Sequence, residues 1–240
     1  MGRVLPLFAL LLLAACVGVV PNVEGVRTIG IVSGIGDKLY LRKVGLTVFG
    51  NESQEVAIDT WGIDEMMTAK IRAALTPRFD VRPVTYRRAV FASFPDRSGL
   101  LAQYFRPEIV RTEVSPQGLD AYVVVLKGER QFSQTNQILE GLGMVESGGG
   151  LFFDKYLYLH AYYEIAFLDG HDLRTKSRTV PIIPGQHQFG DIMGSPYRKI
   201  DRSWWPASLD GAANQRLKGA VVELIDQSLP GTLQKMQLLQ

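Results

Sequence analysis

The chain has 240 residues, 46% of them hydrophobic and 21% charged, with a formal net charge of +2. That balance is ordinary for a globular protein and excludes a largely disordered one. Near-neutral charge also leaves no electrostatic footprint of a nucleic-acid binder, so no such partner is expected.

The opening, "MGRVLPLFALLLLAACVGVVPNVEG", begins with the start amine and Arg3, continues as an apolar run over residues 4–13, and places Ala14 and Ala15 before Cys16. A positive start, a short apolar core and small residues make up a secretory signal. The alternative is a retained anchor, but residues 4–20 are near the lower length limit for a span, with Pro6 inside and Pro21 at the end. Leu13-Ala14-Ala15-Cys16 resembles the lipobox of bacterial lipoproteins. The resemblance implies cleavage before Cys16, acylation of its sulfur, and a membrane partner reached through lipid. Residues 1–15 are then the signal peptide, 16–25 a lipidated tether and 26–240 an α/β periplasmic domain. The other reading of Cys16 is a free thiol in an ordinary signal.

Cys16 is the one cysteine of the chain. An exported protein matures where disulfides form, yet a lone cysteine has no internal partner, and thioether formation removes it from exchange. The lipoprotein resemblance also bears on sorting, because Val17 stands where an aspartate would favour inner-membrane retention. The expectation is the outer membrane, periplasmic face, with the inner membrane as the alternative.

Residues 26–34, "VRTIGIVSG", read as a first strand ended by glycine. Two β-prone runs follow, 39–44 and 46–49, forming a hairpin around Gly45 with a turn signal at Gly50-Asn51. The pattern in "VAIDTWGIDEMMTAKIRAALTPRF" predicts a helix capped by Asp59 or Thr60 and stopped by Pro77. Ile63, Met67, Ile71 and Ala74 recur along one face, which must bury itself on a sheet. "FDVRPVTY" reads as a strand at a sheet edge because of Pro83. Residues 103–112 suggest a short helix interrupted at Pro107. "DAYVVVLKGER" is the strongest strand, its run from Ala121 to Val125 pointing to burial on both faces. A polar, glycine-rich connection through "GLGMVESGGG" comes next, then a hairpin with arms 156–168 and 173–180 turned at Asp169-Gly170. Residues 209–228 predict an amphipathic helix with Ala213, Leu217, Ala220, Val221, Leu224 and Ile225 on one face, broken by Pro230.

These elements give an α/β (α+β) fold, a mixed β-sheet with amphipathic helices packed on it in a single domain. The first strand, the helix ending "KIRAAL", and Phe79 with Val81 in the next strand resemble a known α/β domain. It is shared by lipoprotein activators of penicillin-binding proteins, the curli-secretion lipoprotein and the N-terminal domain of the Tol-system translocation protein. The chain departs from that pattern by the insertion at 38–49 and by lacking the Pro-Phe and Asn-Arg residues usual after the first strand.

The search for chemistry is mostly negative. "SGIGD" follows a strand as a phosphate-binding glycine loop would, but Leu39 replaces the third glycine and a β-prone run stands where a helix is required. "ESGGGLFF" lacks the lysine of a Walker loop. His160 reads as a packed or half-exposed sheet residue, and Asp169, His171 and Asp172 crowd a tight turn without completing a metal shell, so no metal or cofactor is expected. A carboxylate dyad formed in space stays open. Candidate partner-binding residues are Trp204 and Trp205, adjacent and followed by proline, and the basic residues Arg82, Arg87 and Arg88. The expected function is a lipid-anchored module that binds or scaffolds another envelope component, a protein or peptidoglycan. The alternatives are a cell-wall or lipid-active hydrolase and a subunit of a secretion assembly.

Overall fold

The computed structural model describes residues 23–45, 50–92, 107–114, 117–132, 137–147, 156–186, 195–211 and 214–239. The signal segment, Cys16, residues 46–49 and 103–106, the 148–150 glycine run, His187 and Ala213 lie outside them.

The first sheet is built on β1 (Thr28–Gly34), whose Ile29, Ile31 and Val32 leave no polar face. It lies between two parallel partners, β4 (Asp80–Arg82) on one side and β5 (Ala121–Lys127) on the other. β10 (Tyr163–Asp169) runs antiparallel to β5, and β11 (Thr175–Thr179) closes the far edge. The expected edge strand at 80–82 is there and stops at Pro83, as a missing backbone donor requires. Every side chain of β5 up to Leu126 is buried, as the apolar run implied.

Helices cover both faces of this sheet. α1 (Ile63–Leu75) and α4 (Gln215–Lys235) pack with Ile29, Ile31, Val123, Val125, Ile165 and Phe167 in the largest core. α2 (Arg88–Ala92) and α3 (Pro107–Glu113) cover Val32, Tyr122, Val124 and Leu168 on the other face through Phe91, Val110 and Val114. The α1 face is Ile63, Met67, Ile71 and Leu75, with Ala74 at its border.

The second sheet has the order β12 (Tyr197–Ile200), β9 (Tyr156–Ala161), β8 (Leu142–Ser147), β2 (Lys38–Val44), β3 (Glu52–Ala57). Its inward residues Leu39, Leu41, Met144, Leu157 and Leu159 join the same core as α1 and α4. A small ribbon, β6 (Glu129–Gln131) with β7 (Ile138–Glu140), lies over its outer face, burying Phe132, Leu139 and Val145. The α/β class therefore holds, with the strands shared between two mixed sheets.

Five local expectations are corrected. The helix begins at Ile63 after a 3-10 turn, Asp59–Trp61, because Trp61 is buried and its indole donates to the Gly211 carbonyl at 2.8 Å. Its N-cap is Gly62 at φ 62°, so neither Asp59 nor Thr60 caps it. The partner of β2 is the polar segment 52–57, an exposed edge with only Val56 buried, held by the ion pairs Lys38–Glu55 (2.6 Å) and Lys43–Glu52 (2.8 Å). The supposed connection at 142–147 is a central strand; Gly143 is tolerated there because a Cβ would meet the Tyr40 carbonyl at 2.5 Å and the His160 ring at 2.7 Å. α4 runs through Pro230 to Lys235. An interior proline costs about 3 kcal/mol, whereas fully burying a leucine contributes about 1.5–3 kcal/mol. Leu229, Leu233, Met236 and Leu238, all nearly inaccessible, outweigh it.

The fifth correction concerns the arm at 156–168. It divides at Tyr162, with β9 in the second sheet and β10 in the first. There Gly128 N donates to the Tyr162 carbonyl (2.9 Å), Tyr162 N to the Gly141 carbonyl (2.7 Å), and Gly141 N to the Gly128 carbonyl (2.9 Å). Three passages of the chain close a ring of backbone hydrogen bonds where they change sheets. The β10–β11 hairpin itself is as expected, its turn held by the Asp169 carboxylate accepting from His171 N (2.8 Å) and Asp172 N (3.3 Å).

A Cβ at Gly128 would lie 2.9–3.0 Å from the Tyr163 backbone, which cannot yield as a side chain can. Gly128→Ala is expected to cost about 1–3 kcal/mol, on the scale of strain and overpacking in a core, read as a lowered urea midpoint; an unchanged midpoint would refute the crossing geometry. Met67, with no exposed surface, is expected to unfold the domain as Met67→Asp, because an unpaired carboxylate is placed in the core. A native circular-dichroism spectrum and melting temperature for that variant would contradict the packing.

Candidate functional site

Open α/β sheets bind ligands outside the carboxyl ends of their strands, at the point where successive connections leave in opposite directions. Here that point is the end of β1, since β4 and β5 flank it and α1 lies on the opposite face from α2 and α3. The "SGIGD" loop emerges there, and its donors at Ser33, Ile35 and Gly36 are already taken. The buried Asp64 carboxylate, at the start of α1, accepts from Ser33 Oγ (2.6 Å), Ile35 N (2.9 Å) and Gly36 N (3.3 Å). The Tyr86 hydroxyl accepts from Ser33 N (2.9 Å) and donates to the Ser33 carbonyl (3.0 Å). Burial pushes that phenol above its ordinary pKa, keeping it a neutral donor. An internal anion thus occupies the place a phosphate would take.

Beside this lock lies a cleft of about 380 Å³ lined by Asp64, Glu65, Thr68, Arg72, Tyr86 and Arg88. Of the arginines anticipated from sequence, Arg88 lines this cleft, and all three are matched by an acid. Arg88 pairs with Glu65, Arg87 takes Glu113 through Nε and its terminal nitrogen, and Arg82 holds Asp80 at 2.8 Å. The Arg87 hydrogen bond holds the Glu113 carboxyl below its usual range, and Glu113 in turn raises Arg87. The exposed basic run is therefore a set of ion pairs.

Trp204 and Trp205 lie elsewhere and separate from one another. The 3-10 turn Arg202–Trp204 is capped by Asp201, whose carboxylate accepts from Ser203 N at 2.8 Å. Trp204 is half-buried between cations, with the Arg216 guanidinium 3.7 Å and the Arg198 guanidinium 5.3 Å from its ring centroid. Arg198 is fixed by Glu223 of α4 at 2.6 Å, so Trp204 ties its turn to that helix. Trp205, also half-buried, turns to a cleft of about 530 Å³ at the end of the second sheet. Lys43 and Glu52 from β2 and β3, Glu146 from β8 and Arg202 share that cleft. Lys43 reaches over the Trp205 ring at 5.5 Å while pairing with Glu52, and Arg202 meets Glu146 at 3.2 Å. Arg88 and Trp205 line different clefts, so the candidate residues do not form one face. Sequence reasoning found Trp205 by its type; it missed Lys43, Glu52, Glu146 and Arg202, which converge only through strand pairing.

His160 is buried, stacked on Tyr162 with ring centroids 4.3 Å apart, and its Nδ1 lies 3.1 Å from the Gly141 carbonyl. Burial drives its pKa down from 6.5 to about 3, helped by the Arg42 charge, so the ring is neutral at physiological pH. Of the two expected placements in the sheet, packed or half-exposed, it takes the packed one. Asp169, held at about 2 chiefly by its hydrogen bond to Lys176, is spent on the turn that carries His171. Among the described residues no group of three histidine, cysteine or acidic side chains is placed to hold a metal.

No family model matches the chain, and no curated protein matches it in sequence. Among solved structures it is similar to lipoprotein GNA1162 from Neisseria meningitidis, with 13% identity and a TM-score of 0.28, over 83% of this chain and 98% of that one. It is also similar to the hypothetical protein CT253 from Chlamydia trachomatis, with 8% identity and a TM-score of 0.26, over 85% of this chain and 98% of that one. Likeness at this level transfers neither fold nor function.

Neutral burial of His160 makes stability depend on pH. Its folded pKa, about 3, lies below the ordinary 6.5, so its contribution is complete above about pH 6.5 and is lost as pH falls toward 3. The slope is about 1.4 kcal/mol per pH unit, or about 2 kcal/mol between pH 6.5 and 5. His160→Gln is expected to remove that component from the pH dependence of the urea midpoint; identical pH profiles for the two proteins would contradict it.

Proposed function

We propose that the chain is a lipid-anchored protein of the bacterial envelope, held on the periplasmic face of the outer membrane through Cys16. In this reading it binds or scaffolds another envelope component and is not itself an enzyme. The observation that carries the anchor is Leu13-Ala14-Ala15-Cys16 at the end of an apolar run. The folded body supports it, since β1 begins at Thr28, a few residues beyond the tether. Residues 17–25 span at most about 30 Å when fully extended, which keeps the body close to the membrane surface. Each buried acyl methylene contributes about 0.8 kcal/mol, so two or three chains hold the protein durably where one does not. Among the described residues no helix is long and apolar enough to cross a membrane. Binding is assigned to the Trp205 cleft, where an aromatic face and convergent polar groups meet on one surface.

Cys16→Ser is expected to abolish incorporation of labelled palmitate and to leave the precursor uncut; normal maturation of the variant would overturn the anchor. Crosslinking in intact cells is expected to recover a specific envelope component with the wild-type protein and to lose it in the Trp204→Ala, Trp205→Ala double variant. A hydrolytic activity abolished by Glu52→Gln or Glu146→Gln alone would replace the binding reading with an enzymatic one.

A further inference from the structure

The chain enters the folded body at a fixed place. Val23 and Val26 pack against the main core, and Val26 N donates to the Val23 carbonyl at 3.2 Å. The Asp120 carboxylate then accepts from Arg27 N (3.0 Å) and Thr28 N (2.9 Å). Between Cys16 and this docked stretch stand residues 17–22, which reach at most about 20 Å. The ends of α1 and α4 meet at the same place. Asp80 N, just past α1, donates to the Arg27 carbonyl at 2.9 Å, and Arg78 Nη1 donates to the Gln237 carbonyl, just past α4, at 2.6 Å. From there α4 runs back over 21 residues, about 30 Å, to Arg216 in its first turn, which lies against Trp204. The tether and the Trp205 cleft therefore lie at opposite ends of α4.

The tether end carries exposed cations. Arg27, Arg78 and Lys235 stand there without an acid partner among the described residues. Neighbouring charges cancel in pairs, Arg82 with Asp80 at 2.8 Å and Lys176 with Asp169 at 2.8 Å. Against the three cations stand Glu24 and Asp120, the latter taken up by two backbone N–H groups, so the balance is positive. The flanks of the body are neutralised instead: Glu223 and Asp226 of α4 take Arg198 and Lys70, and Glu52 and Glu55 of the β3 edge take Lys43 and Lys38. We infer that the tether end rests on the anionic lipid surface of the membrane that holds the anchor, with Arg27, Arg78 and Lys235 against headgroup phosphates. The Trp205 cleft is then held about 30 Å farther out, the length of α4, and meets a component that approaches from the periplasmic space. The inference rests on the reading of Cys16 as the anchor and adds the direction in which the body faces.

The test is energy transfer from a donor dye on the lipidated full chain to acceptor dyes on the headgroups of vesicles made of phosphatidylethanolamine and phosphatidylglycerol. Cys16 is the one cysteine of the chain and is blocked by its lipid, so an added thiol takes the dye alone. Gln234→Cys places it at the tether end of α4, and Ala207→Cys places it two residues from Trp205; both positions are exposed. The donor at 234 is expected to lie within about 20 Å of the lipid surface and the donor at 207 about 30 Å farther out. Equal distances on a chain that floats with the vesicles would overturn the inference and leave the anchor standing. A chain that does not float would overturn the anchor and the inference with it. Arg27→Gln with Lys235→Gln changes exposed side chains only, and that double variant is expected to float while the two distances converge. A difference unchanged by the double variant would overturn the contact with headgroups.

Discussion

The structure depends on the ring of three backbone hydrogen bonds at Gly128, Tyr162 and Gly141, where the chain passes between its two sheets three times. β5 leaves the first sheet there for the ribbon, the ribbon returns there to β8 of the second sheet, and β9 becomes β10. A buried ionic cluster surrounds it. Lys127, the residue before Gly128, meets Glu140, the residue before Gly141, at 2.8 Å and donates to the Tyr40 hydroxyl at 3.0 Å, while Arg42 approaches Glu140 at 3.3 Å. Burial pulls the Lys127 ammonium down, but its hydrogen bonds to Glu140 and Tyr40 outweigh that and hold it above its ordinary pKa. A buried pair adds little net stability over an apolar one, yet removing one partner costs about 3–5 kcal/mol. The role that follows is one of register: slipping β7 by a residue would strand Glu140 away from both cations. Gly141, at φ 54°, supplies the turn into β8, and a Cβ there would press on Lys127 at 3.0 Å.

With the sheets joined this way, their ends have different fates. The carboxyl end of the first sheet is closed from within, its loop donors bound by Asp64 and Tyr86, which suits it to fix the position of α1 against β1. The end of the second sheet instead bears a cleft, lined among the described residues by β2, β3, β8 and the Asp201-capped turn. Trp204 is committed to α4 and Trp205 faces the cleft. Adjacent residues of the same type thus divide between holding the turn in place and presenting a surface.

Much of the first sheet was legible from sequence, because its strands are apolar on both faces and α1 carries a clean three-and-four spacing. β3 was not, since "ESQEVA" buries only Val56 and its polar residues serve cross-strand ion pairs with β2. β8 was hidden by Gly141 and Gly143, which signal a loop locally and are required by close approach of Tyr40 and His160 in space. The division of 156–168 between sheets had no local signal, because alternation continues through Tyr162 while the hydrogen-bond partners change. Proline at 230 misled in the opposite sense: its local cost is real, and buried leucines beyond it exceed that cost. The candidate site was half legible. Trp205 could be named from its type, whereas its cleft partners lie in three strands and a turn distant in sequence.

Native-state hydrogen exchange at the amides of Gly128, Gly141 and Tyr162 tests the central claim most directly. If the crossing holds the two sheets as one cooperative body, these three amides exchange together and as slowly as those of β1 and β5, with an opening free energy equal to that of global unfolding. Fast exchange of the three while β1 and β5 remain protected would mean that the sheets part locally, and the crossing would not be what joins them.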